Sequence, residues 1–189
     1  MAEAMPELKC AWASHEAAKW ACEHWHYSKC LPAGKLFKVG AWEDGRYIGV
    51  VIFSRGATQN IGKPYGLEQT ECVELTRIAL RDHRHFVSEI MMQALRKLKE
   101  TNPGLRLVVS YADPAQGHNG GIYQATNWVY TGATPPAGIQ NQRKNCSCAD
   151  NSAKEAKAFA GIRVHCLEIS KCRAYHSGRK TQISYAVRP

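Results

Sequence analysis

Residues 105–132, LRLVVSYADPAQGHNGGIYQATNWVYTG, constrain the fold more than any other stretch. Leu105-Arg106-Leu107-Val108-Val109 is apolar and rich in β-branched side chains, which marks a buried strand. Ser110, Tyr111 and Asp113 stand where that strand ends. Residues 114–121, with Pro114, Gly117, Gly120 and Gly121, must then be loop. Residues 121–127 suffice for a short helix, and residues 128–131 return to strand character. An acid and several tyrosines therefore gather at a strand end beside a glycine-rich loop. Strand ends of this kind are where open α/β sheets bind ligands, so this stretch is the first candidate for an active site.

The rest of the chain supplies the sheet. Ser14 is a natural N-cap for an amphipathic helix over 15–25, with His24, His26 and Tyr27 at its exit. Residues 37–42 and 46–53 form a hairpin about the turn 43–45. Residues 71–80 predict another strand, followed by the basic loop 81–87. Ser88 then caps a helix over 89–99, stopped by Asn102-Pro103-Gly104. Helix, hairpin, strand, basic loop, helix, strand, helix, strand: this order fits an α/β fold with a mixed central sheet and helices on both faces.

At 189 residues the chain is one domain, or one domain with an appendage. Its net charge of +9 favours polyanionic partners, nucleic acid above all. The charge is uneven: residues 1–137 hold 15 basic against 13 acidic residues, and residues 138–189 hold 10 against 3. The expected organisation is thus a catalytic domain over 1–137 and a basic C-terminal segment over 138–189. Within that segment 153–159 could be helix and 162–169 strand. No apolar run approaches the roughly 18 residues of a membrane span. The opening MAEAMPE is acidic with no apolar block behind it, so a cytoplasmic location is expected. The eight cysteines contain no CxxC pair, which argues against a zinc ribbon and for reduced thiols.

Three constellations could carry chemistry. Arg77, Arg81 and Arg84 with Ser88 at a helix start could hold a pyrophosphate, as in coenzyme A or a nucleotide. The loop has no glycines, so it is not a P-loop, and a solvated basic turn fits equally well. His24 and His26, two apart at a helix end, do not share a face and are poor joint metal ligands. One of them acting as a base beside Tyr27 is easier to arrange. Asp113, held extended by Pro114, could orient a histidine, accept a proton, or cap its own loop. Tyr111, Tyr123 and Tyr130 could stack on a flipped base or simply pack.

The strand order ending in GIYQATNWVYTG resembles the core of the GNAT acyltransferase fold. More specifically, WHYSKCLPAGK, FKVGAWEDGRYIGVVIFSRGA, ECVELTRIALRDH and YADPAQGHNGGIYQATNWVYTG together resemble the bacteriophage Mom family over residues 25–137. The resemblance implies a transferase that converts the N6 amine of adenine in double-stranded DNA to the N6-carbamoylmethyl form. Such modification protects phage DNA from host restriction. It further implies His26 and Tyr27 as a catalytic pair, with Asp113 and Tyr123 as their partners. Arg77 and Ser88 are implied as coenzyme contacts, with Arg81 and Arg84 as neighbours, and acetyl-coenzyme A as the cofactor. Because the product is not a plain acetyl group, a nitrogen source and a metal such as iron enter consideration, although the spacings offer no ligand set. The alternatives are a GNAT N-acetyltransferase acting on a protein or small amine, and a non-catalytic DNA-binding protein. No membrane partner is expected; monomer and dimer both remain open.

Overall fold

The computed structural model describes residues 4–56, 60–113, 116–133 and 162–166. Its elements in chain order are β1 (Leu8–Trp12), α1 (His15–Trp25), β2 (Leu36–Glu43), β3 (Arg46–Ser54), β4 (Cys72–Leu80), α2 (Val87–Thr101), β5 (Leu107–Ala112), α3 (Gly121–Gln124), β6 (Val129–Ala133) and β7 (Ile162–Cys166). Among the described residues the strands form one sheet in the order β1-β2-β3-β4-β5-β7-β6. All neighbours are antiparallel except β4 and β5, which are parallel. The mixed α/β sheet expected from the sequence is present, with β1 as an additional edge strand. Strand β7 comes from the segment after residue 137 and is hydrogen-bonded on both sides within this same sheet. The other expectations for 138–189, including the helix at 153–159, lie outside the described residues.

Helix α1 starts where Ser14 Oγ accepts the Ala17 N–H at 3.1 Å, the cap read from the sequence. It buries Ala18, Ala21 and Cys22 against Val50, Ile52 and Ala79. Helix α2 covers the opposite face, where Ile90, Met91, Leu95 and Leu98 pack on Val39, Val51, Phe53, Val73 and Leu75. Its start corrects the expectation for Ser88. The N-cap is Phe86, without a side-chain cap, and Ser88 is a buried residue of the first turn. Polar satisfaction comes instead from the hairpin. The buried Glu43 carboxylate accepts from Arg84 N–H at 2.9 Å and His85 N–H at 2.8 Å, just before the helix begins. A distant carboxylate thus fixes the loop leading into α2, while the first turn itself has no side-chain cap.

Two irregularities shape the functional end. Ile52 pairs with Arg77 but the next residue, Phe53, pairs with Leu75, so Thr76 is a bulge residue on β4. A bulge shifts the side-chain alternation by one. Val73 and Leu75 face α2, whereas Ala79 beyond the bulge packs on the α1 side. Arg77 shares that side, opposite Ile52. The second irregularity is the parting of β4 from β5. Their pairing runs from Cys72↔Leu107 to Leu75↔Ser110 and stops there. At the last rung Ser110 Oγ donates to Leu75 O at 2.9 Å. Beyond it β5 pairs only with β7, leaving a gap at the carboxyl ends of the parallel strands.

Candidate active site

His26 is the C-cap residue of α1, extended at φ −109° and ψ 142°, with its N–H bonded to Cys22 O. This extended residue turns the chain off the helix and swings the ring inward, where only 7% of the residue is exposed. Its Nδ1 accepts the Ser28 N–H at 3.1 Å, and Ser28 Oγ lies 2.8 Å from the same atom. Burial, and then the charges of Arg77, His118 and Lys29, push the imidazole down to about 4. His24 belongs elsewhere. Its Nδ1 bonds Trp20 O at 2.8 Å and its ring stacks on Trp20 at the surface.

Tyr27 is half-exposed, with its ring 4.2 Å from the His26 ring and 5.8 Å from that of His118. Burial raises its phenol above the usual value; the Arg77 charge opposes this and the Asp113 carboxylate adds to it. Asp113 follows β5 and is 7% exposed. Its carbonyl accepts Gln116 N–H at 3.1 Å and His118 N–H at 3.2 Å, folding the loop back over the strand end. Tyr123, on α3, is buried with its hydroxyl 2.8 Å from Ser110 Oγ and its ring 5.1 Å from Trp128. Ser110 has one proton and directs it at Leu75 O, so Tyr123 is the donor of the pair. Burial raises the Tyr123 phenol, the Ser110 bond pulls it down, and Tyr27 pushes it up.

The structure therefore brings His26, Tyr27, Arg77 and Asp113 together at the gap between β4 and β5, with Tyr123 behind them. It does not bring Arg81 and Ser88 into that group. Arg81 lies over the Trp25 ring, 5.6 Å from its centroid, and its backbone N–H bonds Ile48 O. Arg77, grouped with Arg81 in the sequence, is parted from the α2 start by the bulge. Ser28 and His118 border the site without having been assigned a role from the sequence, and Ser110 was read there only as part of the strand end. Ser28 and Ser110 adjoin residues that were given one, and adjacency was the only available signal.

Two buried donors lack partners among the described residues: Arg77 Nε and Trp128 Nε1. A buried cationic N–H without an acceptor is costly, and an oxygen brought by a ligand would satisfy it. The uncapped first turn of α2 offers further N–H groups at its N-terminus. A phosphorylated, carbonyl-bearing carrier such as an acyl-coenzyme A fits this donor-rich arrangement, with one restriction. Glu43 already holds the Arg84 and His85 amides, so a pyrophosphate at the α2 start would be left with the amides of Val87 and Ser88. Among the described residues no group of three or more His, Cys, Asp or Glu side chains could hold a metal ion. None of the described helices is long and apolar enough to cross a membrane.

Known proteins match both the fold and the sequence. Among solved structures, spermidine N-acetyltransferase from Vibrio cholerae, in complex with CoA and spermine, superposes with TM-score 0.52 at 9% identity. The match covers 87% of this chain and 97% of that one. An acetyltransferase of the GNAT family from Streptococcus pneumoniae gives TM-score 0.50 at 11% identity, covering 86% and 99%. At these identities the likeness establishes the GNAT-like fold alone. In sequence, the Methylcarbamoylase mom of Escherichia phage Mu is 28% identical over 112 residues, 57% of this chain. The match spans 46% of that relative, under half of its length. The model of the Mom protein family matches residues 7–181, well past the 137 reached by the resemblance of individual blocks. Over nearly its whole length, this chain belongs to the Mom protein family.

Proposed function

We propose that this protein is a DNA-modifying transferase that converts the N6 amine of adenine to the N6-carbamoylmethyl form and so protects phage DNA from restriction. The observation that carries the proposal is the convergence of His26, Tyr27, Arg77 and Asp113 at the gap between β4 and β5, in a chain of the Mom family. The N6 amine of a paired adenine is held in the duplex, so the base must be extruded to reach such a gap. Tyr27, half-exposed at the mouth, offers a face for the flipped base to stack on. Asp113 stands beside Tyr27 and takes the proton that N6 loses as the new N–C bond forms. Arg77 directs its unpartnered Nε–H at an oxygen of the transferred group. An acyl-coenzyme A, when bound, would supply the two-carbon unit and a thiol leaving group; attack on its thioester alone gives an amide, so the carbamoylmethyl product also requires a separate nitrogen donor and bond formation at the methylene carbon.

Mass spectrometry of nucleosides from cells expressing the chain tests this reading. Wild type should yield N6-carbamoylmethyladenine, and Asp113→Asn and Tyr27→Ala should each lower the yield at least about tenfold, roughly 1.4 kcal/mol of barrier. Acetylated protein or amine without modified adenine would move the assignment to an ordinary N-acetyltransferase. Unchanged yields in both variants would remove these residues from the mechanism.

A further inference from the structure

We propose that His26 works as a neutral hydrogen-bond donor through Nε2–H, not as the base, and that Ser28 is the positioning residue that sets this tautomer. The inference deepens the transferase reading above and rests on it for the identity of the substrate.

The argument starts from one bond. Nδ1 of His26 lies 3.1 Å from the Ser28 backbone N–H, and a backbone amide can only donate. Nδ1 must therefore present its lone pair, and in the neutral ring the proton sits on Nε2. Ser28 Oγ reinforces this choice from 2.8 Å. Its other acceptor, Cys30 O, is farther away at 3.5 Å, so the hydroxyl proton is better placed on Nδ1. The turn is shaped for this contact. Lys29 adopts φ +50°, a left-handed conformation that side chains adopt at a cost, and its N–H closes on His26 O at 3.1 Å. That closure folds the Ser28 amide under the ring.

Freeing Nε2 to act as a base would require the proton to move to Nδ1, which would break the Ser28 amide bond. Protonating the whole ring is opposed from three directions. Arg77 faces it from β4, His118 from the loop after β5, and Lys29 from the turn after α1. Asp113 is the carboxylate of the cluster, acting on the neighbouring Tyr27. Nε2 itself has no hydrogen-bond partner among the described residues. It is not one of the buried atoms left without a partner, so unlike Arg77 Nε it stays accessible to a ligand. Two such donors suit the carbonyl oxygen that acyl and carbamoylmethyl groups share, and would hold it so that the carbon to be transferred faces the amine. Proton removal from the amine then falls to Asp113 alone.

The test is nitrogen NMR on the full-length chain labelled with 15N-histidine, read alongside the yield of modified adenine. His26 should carry its proton on Nε2 and remain neutral from about pH 8 down to about pH 5, below the usual histidine value of about 6.5. Ser28→Asp places a carboxylate on Nδ1 and should reverse the tautomer, raise the titration and lower the yield at least about tenfold. Ser28→Thr keeps the amide and the hydroxyl and should preserve both readouts. His26→Gln, which keeps an N–H donor but has no base, should retain more activity than His26→Leu. A proton on Nδ1 in the wild type, alongside normal modification, overturns this proposal and leaves the transferase reading standing. The Nε2–H tautomer with no modified adenine overturns the transferase reading and the donor role with it.

Discussion

Replacing Glu43 should destabilise the fold without weakening the binding of coenzyme A. Its carboxylate is 8% exposed and accepts two backbone amides, Arg84 N–H at 2.9 Å and His85 N–H at 2.8 Å. A hydrogen bond to a charged partner contributes about 1.5–3 kcal/mol, so losing both would cost roughly 3–6 kcal/mol if the amides stayed dry. They do not. A cavity of ≈ 380 Å³ bordered by Glu43, Arg46 and Arg84 lets water reach the vacated position. With that compensation Glu43→Ala should cost about 2–3 kcal/mol, and Glu43→Gln, which keeps one acceptor oxygen, about half as much. For a chain of this size that lowers Tm by roughly 4–12 °C. Urea unfolding should show an earlier midpoint with an unchanged slope. Calorimetry with coenzyme A should show equal or tighter binding, because the amides of Arg84 and His85 become available to a phosphate. A variant with wild-type stability and weaker coenzyme binding would refute the reasoning, since Glu43 would then serve the ligand and not the helix start.

Two further predictions concern buried polar groups. His85 Nε2 lies 2.7 Å from Pro6 O and Nδ1 2.9 Å from the Glu89 carboxylate; both partners are acceptors, an arrangement that favours the imidazolium form. Burial opposes this charge, but those two bonds and the charges of Glu89 and Glu43 prevail and raise its titration. Its stabilisation is therefore full below the unfolded value of about 6.5 and is lost as pH rises through the raised folded value. His26 has the opposite sign. With a folded value of about 4, its contribution is present above about 6.5 and lost as pH falls toward 4, up to about 2 kcal/mol after screening at its open edge. Melting temperatures across pH should show His85→Gln converging on wild type at alkaline pH and His26→Gln diverging favourably in acid; parallel curves would contradict both. Separately, Tyr123→Phe removes one buried bond and should cost about 1 kcal/mol, while Ser110→Ala strands the Tyr123 hydroxyl and should cost about 2. The double variant should cost less than the sum by about 1 kcal/mol in urea titrations, and strict additivity would mean the pair is not bonded.

What was legible in the sequence follows from how local each signal is. The Ser14 cap, the hairpin turn at Asp44 and Gly45 with φ of +48° and +78°, and the periodic face of α2 are decided by neighbouring residues, and all stand as read. The strand and short helix of the stretch from 105 to 127 are also present, with the strand at Leu107–Ala112 and the helix cut to Gly121–Gln124 in place of 121–127. Strand β1 was missed because five partly exposed residues at a sheet edge carry too little alternation to declare themselves. Ser88 was misplaced because its rival for satisfying the helix start, Glu43, is more than forty residues away and looks like an ordinary turn residue.

The bulge at Thr76 is the most consequential gap, and it left a trace. On β4 the apolar side chains facing α2 are Val73 and Leu75, then Ile78 and Leu80, a slip from odd to even positions. Uninterrupted alternation would send Arg77 to the same face as Leu75, among Ile90, Met91 and Leu95 of α2, where an unpaired guanidinium could not remain. The slip resolves that conflict and delivers the charge to the α1 face beside His26 and Tyr27. Burial first, and then the charge of Arg77 there, disfavour the protonated form of His26, and in the mechanism proposed above Asp113 takes the proton. The placement of Arg77, on which the proposed division of roles depends, thus follows from one extra residue in one strand.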